Sequence, residues 1–113
     1  MCNPTLLKEV SEKVTQSAKE ILGDKLNAVI LYGSYARGDF DEDSDIDIMI
    51  LADIKDEDAF QIDSQIGRAI HSFELENDLL ISTITKNKDL FEKRVSFMPF
   101  YQNVLKDGVR LYG

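Results

Sequence analysis

The residues with the clearest chemical potential lie in one stretch, GSYARGDFDEDSDID at positions 33–47. Asp45 and Asp47 begin the run DIDIMILA, whose apolar, isoleucine-rich character indicates a strand. Side chains two apart on a strand project from the same face, with Cα atoms about 6.6 Å apart. Carboxylates at that spacing can converge on two cations about 3.5–4 Å apart, as in two-metal phosphoryl transfer. The pair therefore predicts a site for Mg²⁺, which prefers oxygen ligands.

The start of the same stretch has the residue types of a phosphate-binding turn. Gly33 lets the backbone turn tightly and approach a ligand closely. Ser34 begins a predicted helical turn, where backbone N–H groups attract anions and the hydroxyl can donate to a phosphate oxygen. Arg37 lies on the same turn and could pair with a phosphate or with a nearby carboxylate. Ser44 precedes the aspartates and is either a further nucleotide contact or a local turn residue.

Two better-known ion and phosphate loops do not fit this stretch. A P-loop requires Gly-Lys-Ser or Gly-Lys-Thr, but Gly38 is followed by Asp39. A calcium-binding EF-hand loop beginning at Asp41 would require glycine at its sixth position and glutamate at its twelfth. Ile46 and Ala52 occupy those positions. The stretch is therefore neither of these motifs.

The rest of the chain supplies the elements that must position this site. Apolar residues at helical spacing predict two long helices, and short runs bounded by turn residues predict strands. The strand that begins at Asp45 is apolar on both faces beyond its aspartates, so it must be covered on both sides. The fold class is therefore α+β, a small mixed β-sheet flanked by helices. The predicted helices are 5–22, 56–74, 90–95 and 100–105, and the predicted strands are 26–32, 45–52, 76–85 and 109–112.

Composition narrows the class of protein. The 113 residues suit one domain, 1–113, and carry a formal net charge of −8. An acidic domain repels phosphate backbones, so direct nucleic-acid binding is not expected. There is one cysteine, Cys2, and no apolar run approaches the roughly 20 residues that span a membrane. We therefore expect a cytoplasmic protein without membrane association.

The spacing from Gly33-Ser34 through ten residues to Asp45-Ile46-Asp47 resembles the GSx10DxD signature of the polymerase-β nucleotidyltransferase superfamily. The longer string GSYARGDFDEDSDIDIMI is similar to its small prokaryotic branch, the minimal nucleotidyltransferases. The closing run PFYQNVLKDGV at 99–109 also resembles the end of such domains. The resemblance implies a polymerase-β-type nucleotidyltransferase fold and transfer of a nucleoside monophosphate from a triphosphate, ATP in the first instance.

The resemblance also implies roles for individual residues. Gly33 and Ser34 would hold the β and γ phosphates, and Asp45 and Asp47 would bind two Mg²⁺ ions. A third carboxylate on a neighbouring strand would bind one metal and help to activate the acceptor hydroxyl. We assign that role to Asp78, with Glu76, two residues earlier, as the alternative.

Members of this branch pair with a HEPN-domain toxin and transfer AMP to one of its tyrosines, so the resemblance implies a HEPN-domain partner. Two other readings stay open. The chain could be a non-catalytic, antitoxin-like subunit that masks a basic partner with its negative charge. It could also be an antibiotic-modifying nucleotidyltransferase, although no second domain for the acceptor is visible. Phe97, Phe100 and Tyr101 are either core residues or a patch that serves a homo-oligomer or partner interface.

Overall fold

The computed structural model describes residues 3–41 and 43–113, so Cys2 lies outside the described part of the chain. Its main elements follow one another as helix, strand, short helix, strand, helix, strand, two short helices and strand. These elements are α1 (Pro4–Leu22), β1 (Leu26–Tyr32), α2 (Gly33–Arg37), β2 (Ile46–Ala52), α3 (Ala59–Asn77), β3 (Ile81–Asn87), α4 (Lys88–Arg94), α5 (Pro99–Asp107) and β4 (Val109–Tyr112).

The four strands form one mixed sheet in the order β3-β2-β1-β4. β1 is antiparallel to both β2 and β4, whereas β2 and β3 are parallel and joined through α3. A parallel pair needs a long crossover connection, and the 19-residue α3 provides it. The prediction of an α+β fold with a small mixed sheet is confirmed.

Each face of the sheet is covered by its own pair of helices. On one face, α1 and α3 pack on alternate strand residues such as Val29, Ile48 and Ile50. On the other face, α4 and α5 pack on the intervening residues, among them Ile30, Met49 and Leu51. β2 is therefore buried on both sides, as its sequence predicted. Asp47 shares the α4–α5 face with Met49 and Leu51, because side chains alternate along a strand.

The ends of α1 show how sequence sets the element boundaries. Asn3 caps the helix, with its Oδ1 accepting a hydrogen bond from the Leu6 N–H at 2.8 Å, and Pro4 occupies the first turn. Gly23, with φ of 58°, follows the last residue. The predicted helix over 5–22 is confirmed at both ends. No helix in residues 3–41 and 43–113 combines the length and apolar character needed to cross a membrane.

One strand prediction is wrong in its first half. The predicted strand began at Glu76, but α3 continues through Asn77, and β3 begins only at Ile81. Asp78 ends the helix in the left-handed conformation, with φ of 51° and ψ of 51°, and its N–H donates to the Glu74 carbonyl. Neither Glu76 nor Asp78 therefore lies on β3, and the reason for assigning either of them as a third site carboxylate fails.

Candidate active site

The junction of β1 and α2 lies directly against the start of β2. Tyr32, the last residue of β1, pairs with Asp47 across the antiparallel ladder. Gly33, the next residue, has φ of 73°, a conformation that a side chain disfavours. A Cβ built on Gly33 would collide with Oδ2 of Asp47 and would lie 3.2 Å from its Cγ. The Asp47 carboxylate thus sits against the glycine backbone, so the turn and the carboxylate form one site.

The two aspartates differ in their surroundings. Asp45 is exposed immediately before β2, whereas Asp47 is half-buried on the strand. Burial raises the pKa of Asp47 above 3.8, the negative charge of Asp45 adds to this effect, and Arg37 opposes it. The two carboxylates therefore repel one another electrostatically. A cation bound between them would relieve that repulsion, which fits the expected chemistry of the pair.

Ser34 lies in the first turn of α2 and is half-buried. Its carbonyl accepts hydrogen bonds from the Gly38 and Asp39 N–H groups at 2.9 and 3.1 Å, which closes the short helix. Within residues 3–41 and 43–113 its hydroxyl has no hydrogen-bond partner. Ser34 thus has a free hydroxyl on the residue that follows Gly33, against which the Asp47 carboxylate lies, as a phosphate contact would require.

Arg37 and Ser44 use their polar groups within the loop. Arg37 Nε donates to Oδ2 of Asp39 at 3.1 Å, and both side chains are exposed. Because exposed ion pairs are weak, a phosphate could displace Asp39 from Arg37. Ser44 Oγ accepts from the Asp41 N–H at 2.9 Å and donates to Oδ1 of Asp41 at 3.2 Å. The structure therefore gives Ser44 a local turn role, which was the alternative to nucleotide contact.

Among the residues that the structure describes, no third carboxylate is grouped with Asp45 and Asp47. Within residues 3–41 and 43–113, no three His, Cys, Asp or Glu side chains are grouped as metal ligands. Ser82 is the residue of β3 that pairs with Asp47, and Ile84 and Lys86 follow it on the same face. The strand placement from which Asp78, with Glu76 as its alternative, was assigned is thus wrong. The carboxylate pair stands beside a serine on β3.

A cleft of about 180 Å³ adjoins the turn on the α4–α5 face. Its walls are Tyr32, Gly33 and Arg37 on one side and Phe100, Asn103 and Val104 of α5 on the other. The ring of Tyr32 makes an edge-to-face contact with that of Phe100, with centroids 5.7 Å apart. Burial, with the nearby charges of Asp47 and Asp63, raises the pKa of Tyr32 to about 12. Tyr32 is therefore a neutral hydroxyl group at physiological pH.

The structure brings together the Gly33 turn and Asp47, both singled out in the sequence, but the α5 wall of the cleft was not predicted. Phe100 and Asn103 are one helical turn apart in PFYQNV, a spacing that places them on the same face of a helix. The three aromatic residues near Pro99, which are Phe97, Phe100 and Tyr101, differ in burial. Tyr101 is buried in the core, whereas 43% of Phe100 and 67% of Phe97 are exposed.

A second carboxyl group with a raised pKa lies outside this site. Asp63 of α3 accepts a hydrogen bond from the buried Thr85 hydroxyl at 2.9 Å. Burial raises its pKa, and hydrogen bonds from Thr85 and Thr83 partly offset that effect. Since its partners belong to β3 and face α3, Asp63 has a structural role in joining that helix to the sheet edge.

Comparison with known proteins places this geometry in a family. Residues 7–110 match the family model of the nucleotidyltransferase domain. "Putative protein adenylyltransferase MJ0141" of Methanocaldococcus jannaschii is 37% identical over 95 residues, which are 84% of this chain and 91% of that protein. "Putative protein adenylyltransferase MJ0604" of the same organism is 34% identical over 88 residues, which are 78% of this chain and 80% of that protein.

Solved structures show the same fold. A crystal structure described as that of a "putative nucleotidyltransferase" from Sulfolobus solfataricus has a TM-score of 0.58 and 27% identity, covering 94% of this chain and 76% of that one. A structure described as a "toxin-antitoxin with AMP-PNP" has a TM-score of 0.56 and 20% identity, covering 91% and 73%. The latter likeness concerns the fold alone. The fold is that of the polymerase-β-type nucleotidyltransferases. The chain belongs to the nucleotidyltransferase domain family and is a nucleotidyltransferase.

Proposed function

We propose that this protein transfers AMP from ATP to a hydroxyl group, with a tyrosine of a HEPN-domain toxin as the acceptor. The observation that carries the proposal is the contact between the Asp47 carboxylate and the Gly33 backbone at the start of α2. The names of the two M. jannaschii relatives support protein as the acceptor class. The toxin-antitoxin complexes that share the fold, one of them with AMP-PNP, support the nucleotide and the kind of partner.

The donor set suits Mg²⁺. Asp45 and Asp47 supply two hard carboxylate ligands and leave coordination positions for water and phosphate oxygens, as Mg²⁺ sites commonly do. Bound there, Mg²⁺ would neutralise charge that develops on the phosphate oxygens. The fit is to a pair of carboxylates, because the described residues group no third one beside them. Phosphate oxygens of the nucleotide therefore complete the site.

Residues of the chain bind the phosphates of the nucleotide. The Gly33 turn and the Ser34 hydroxyl hold the terminal phosphates, and Arg37 leaves Asp39 to pair with a phosphate oxygen. The acceptor oxygen then attacks the α-phosphorus. A new P–O bond forms, the bond between the α-phosphorus and the bridging oxygen breaks, pyrophosphate leaves, and the acceptor hydroxyl loses its proton to solvent water. Catalysis is mainly positioning and charge stabilisation, as is usual for phosphoryl transfer.

The direct test is transfer of label from α-labelled ATP to a purified HEPN-domain partner in the presence of Mg²⁺. We expect label on a tyrosine of the partner, and none when that tyrosine is replaced by phenylalanine. Absence of label with the unaltered proteins would contradict the proposal. Protection from the toxin that persists in an Asp45→Asn, Asp47→Asn double variant would instead support the masking subunit.

Ser82→Asp is expected to strengthen metal binding. The substitution places a carboxylate beside Asp47 on the neighbouring strand, about 4.8 Å away in the direction of the ladder bonds. Because affinity for a divalent cation rises with the number of charged ligands, we expect Mn²⁺, as a probe, to bind about ten-fold more tightly. Titration followed by electron paramagnetic resonance measures the change. Ser96→Asp adds the same charge at an exposed position outside this strand pair. Equal Mn²⁺ affinities for the two variants would show that Ser82 does not face the metal site.

A further inference from the structure

The cleft between α2 and α5 continues the site beyond its phosphate-binding turn. Gly33 and Arg37 both line the cleft; Gly33 also lies against the Asp47 carboxylate, and the charge of Arg37 lowers the pKa of Asp47. A nucleotide held by its phosphates at Gly33 must extend its base and sugar to one side of the turn. We propose that this cleft binds the adenine base, with Phe100 as its stacking surface and Asn103 as its hydrogen-bonding group. This inference rests on the proposed function and adds the residues that select the adenine base.

Phe100 has the properties of a stacking platform. It is held from two sides, by the edge-to-face contact with Tyr32 and by a tilted contact with Tyr101 at 5.5 Å between centroids. It nevertheless leaves 43% of its surface exposed, at the wall of the cleft. An aromatic ring that is fixed by its neighbours but partly uncovered can stack on a base at little cost in side-chain entropy.

Asn103 supplies the polar group that stacking lacks. Its side chain is exposed one turn after Phe100, and it makes no hydrogen bond with any other residue in 3–41 or 43–113. A carboxamide presents one acceptor and one donor side by side, which matches the N6 amino group and N7 of adenine. Guanine presents two acceptors on the same edge, so the amide oxygen would face the guanine O6 or N7 unfavourably. Asn103 therefore favours adenine over guanine.

Two larger clefts in the described part of the chain do not share this position. The cleft along α1, of about 490 Å³, is lined by Ser11, Thr15 and Lys19 among others. The cleft of about 480 Å³ is lined in part by Lys25, Asp53 and Asn87, at the opposite end of β2 from Asp47. Neither contains Gly33, Asp45 or Asp47, so a nucleotide held at the carboxylate pair does not pass through them.

The test is equilibrium binding of α,β-methylene analogues of ATP and GTP, which cannot release pyrophosphate, to the whole protein with Mg²⁺. We expect Asn103→Ala to weaken binding of the ATP analogue about ten-fold and to leave the GTP analogue nearly unchanged. Phe100→Ala should weaken both analogues about ten-fold, and Phe100→Trp should restore them. Gln102→Ala, which removes the neighbouring exposed amide outside the cleft, and Phe97→Ala serve as matched controls.

The outcomes separate the two proposals. An unchanged preference for ATP in Asn103→Ala, with a wild-type circular dichroism spectrum, would overturn the base site while leaving AMP transfer intact. If Phe100→Ala and Asn103→Ala instead raise the KM for the protein acceptor and leave nucleotide affinity unchanged, the cleft binds the acceptor. That result would also overturn the base site. If the wild-type protein binds the ATP analogue, the variants change binding as expected, and no AMP is transferred, the base site is supported and the proposed reaction is contradicted.

Discussion

Asp47→Asn is expected to lower the kcat/KM of AMP transfer by at least about a thousand-fold. The substitution keeps the size of the side chain and its place against Gly33, but it removes the charge that the proposed Mg²⁺–nucleotide complex would require. Asp47 is also the inner member of the carboxylate pair, half-buried on β2 where Asp45 is exposed. The measurement is the rate of label transfer to the partner at several ATP and Mg²⁺ concentrations.

The same substitution, Asp47→Asn, should not lower the stability of the protein at pH 7, although it lowers activity. Burial and the Asp45 charge raise the pKa of Asp47, so the folded state binds a proton more readily than the unfolded state. Stability therefore falls as the pH rises from the ordinary value of 3.8 through the raised folded pKa, and the full penalty is present above that. Asn carries no such penalty. We expect Asp47→Asn to match or exceed the wild-type melting temperature at pH 7, and to lose that advantage as the pH falls through the window.

Asp43→Asn is the matched control for both measurements. It is an exposed carboxylate in the same loop, and its backbone N–H donates to Asp41 whatever its side chain. Transfer rate and melting temperature should both stay near the wild-type values. An Asp47→Asn protein that transfers AMP normally, or that unfolds at clearly lower temperature at pH 7, would show that Asp47 is a structural residue.

The part of the site that sequence could predict is the part whose spacing is set by local geometry. Alternation along a strand predicts that Asp45 and Asp47 share one face wherever that strand lies; the structure places Asp47 on β2 and Asp45 one residue before it. The apolar residues that follow require the strand to be covered on both sides, which the two core layers confirm. Gly33 directly follows β1, so its proximity to Asp47 requires that β1 and β2 be antiparallel neighbours in the register that pairs Tyr32 with Asp47.

The third carboxylate could not be placed because it depended on where a helix ends. The segment after Phe73 reads ELEND, and it contains no glycine or proline to mark the boundary. Residues of this kind can continue α3, and Asp78 then takes the left-handed conformation that glycine usually occupies at a helix end. The strand therefore begins only at Ile81, and Ser82 is the residue that pairs with Asp47.

The cleft between α2 and α5 could not be predicted from the sequence, for a different reason. It lies between α2 and α5, which are more than sixty residues apart and meet only because α5 packs on the face opposite to α1 and α3. Helical spacing shows that Phe100 and Asn103 share a face, but not which element that face approaches. Tyr101 and Val104 fill the core from the same helix, and this packing directs Phe100 toward Tyr32.

Gly33→Ala is expected to lose both activity and stability. Its φ of 73° costs a non-glycine residue of the order of 1–3 kcal/mol, and the new Cβ collides with Oδ2 of Asp47. The carboxylate must move or the turn must open. Because a displacement of about 1 Å in a catalytic group can cost about a hundred-fold in rate, we expect at least that loss in kcat/KM. Transfer assays and thermal unfolding measure the two effects.

Gly38→Ala separates the backbone effect from the collision. Gly38 also has a positive φ, of 84°, but a Cβ there meets nothing within 4 Å. The Gly38→Ala protein should lose about as much stability as backbone strain alone costs Gly33→Ala, and it should retain most of its transfer activity. Asp47→Ala provides the second comparison, because it removes the oxygen that the Gly33 Cβ would strike. If the collision is the cause, Gly33→Ala will destabilise the Asp47→Ala protein less than it destabilises the wild type. Equal destabilisation in the two backgrounds would mean that the glycine serves the turn alone, and that the carboxylate and the phosphate-binding backbone are independent parts.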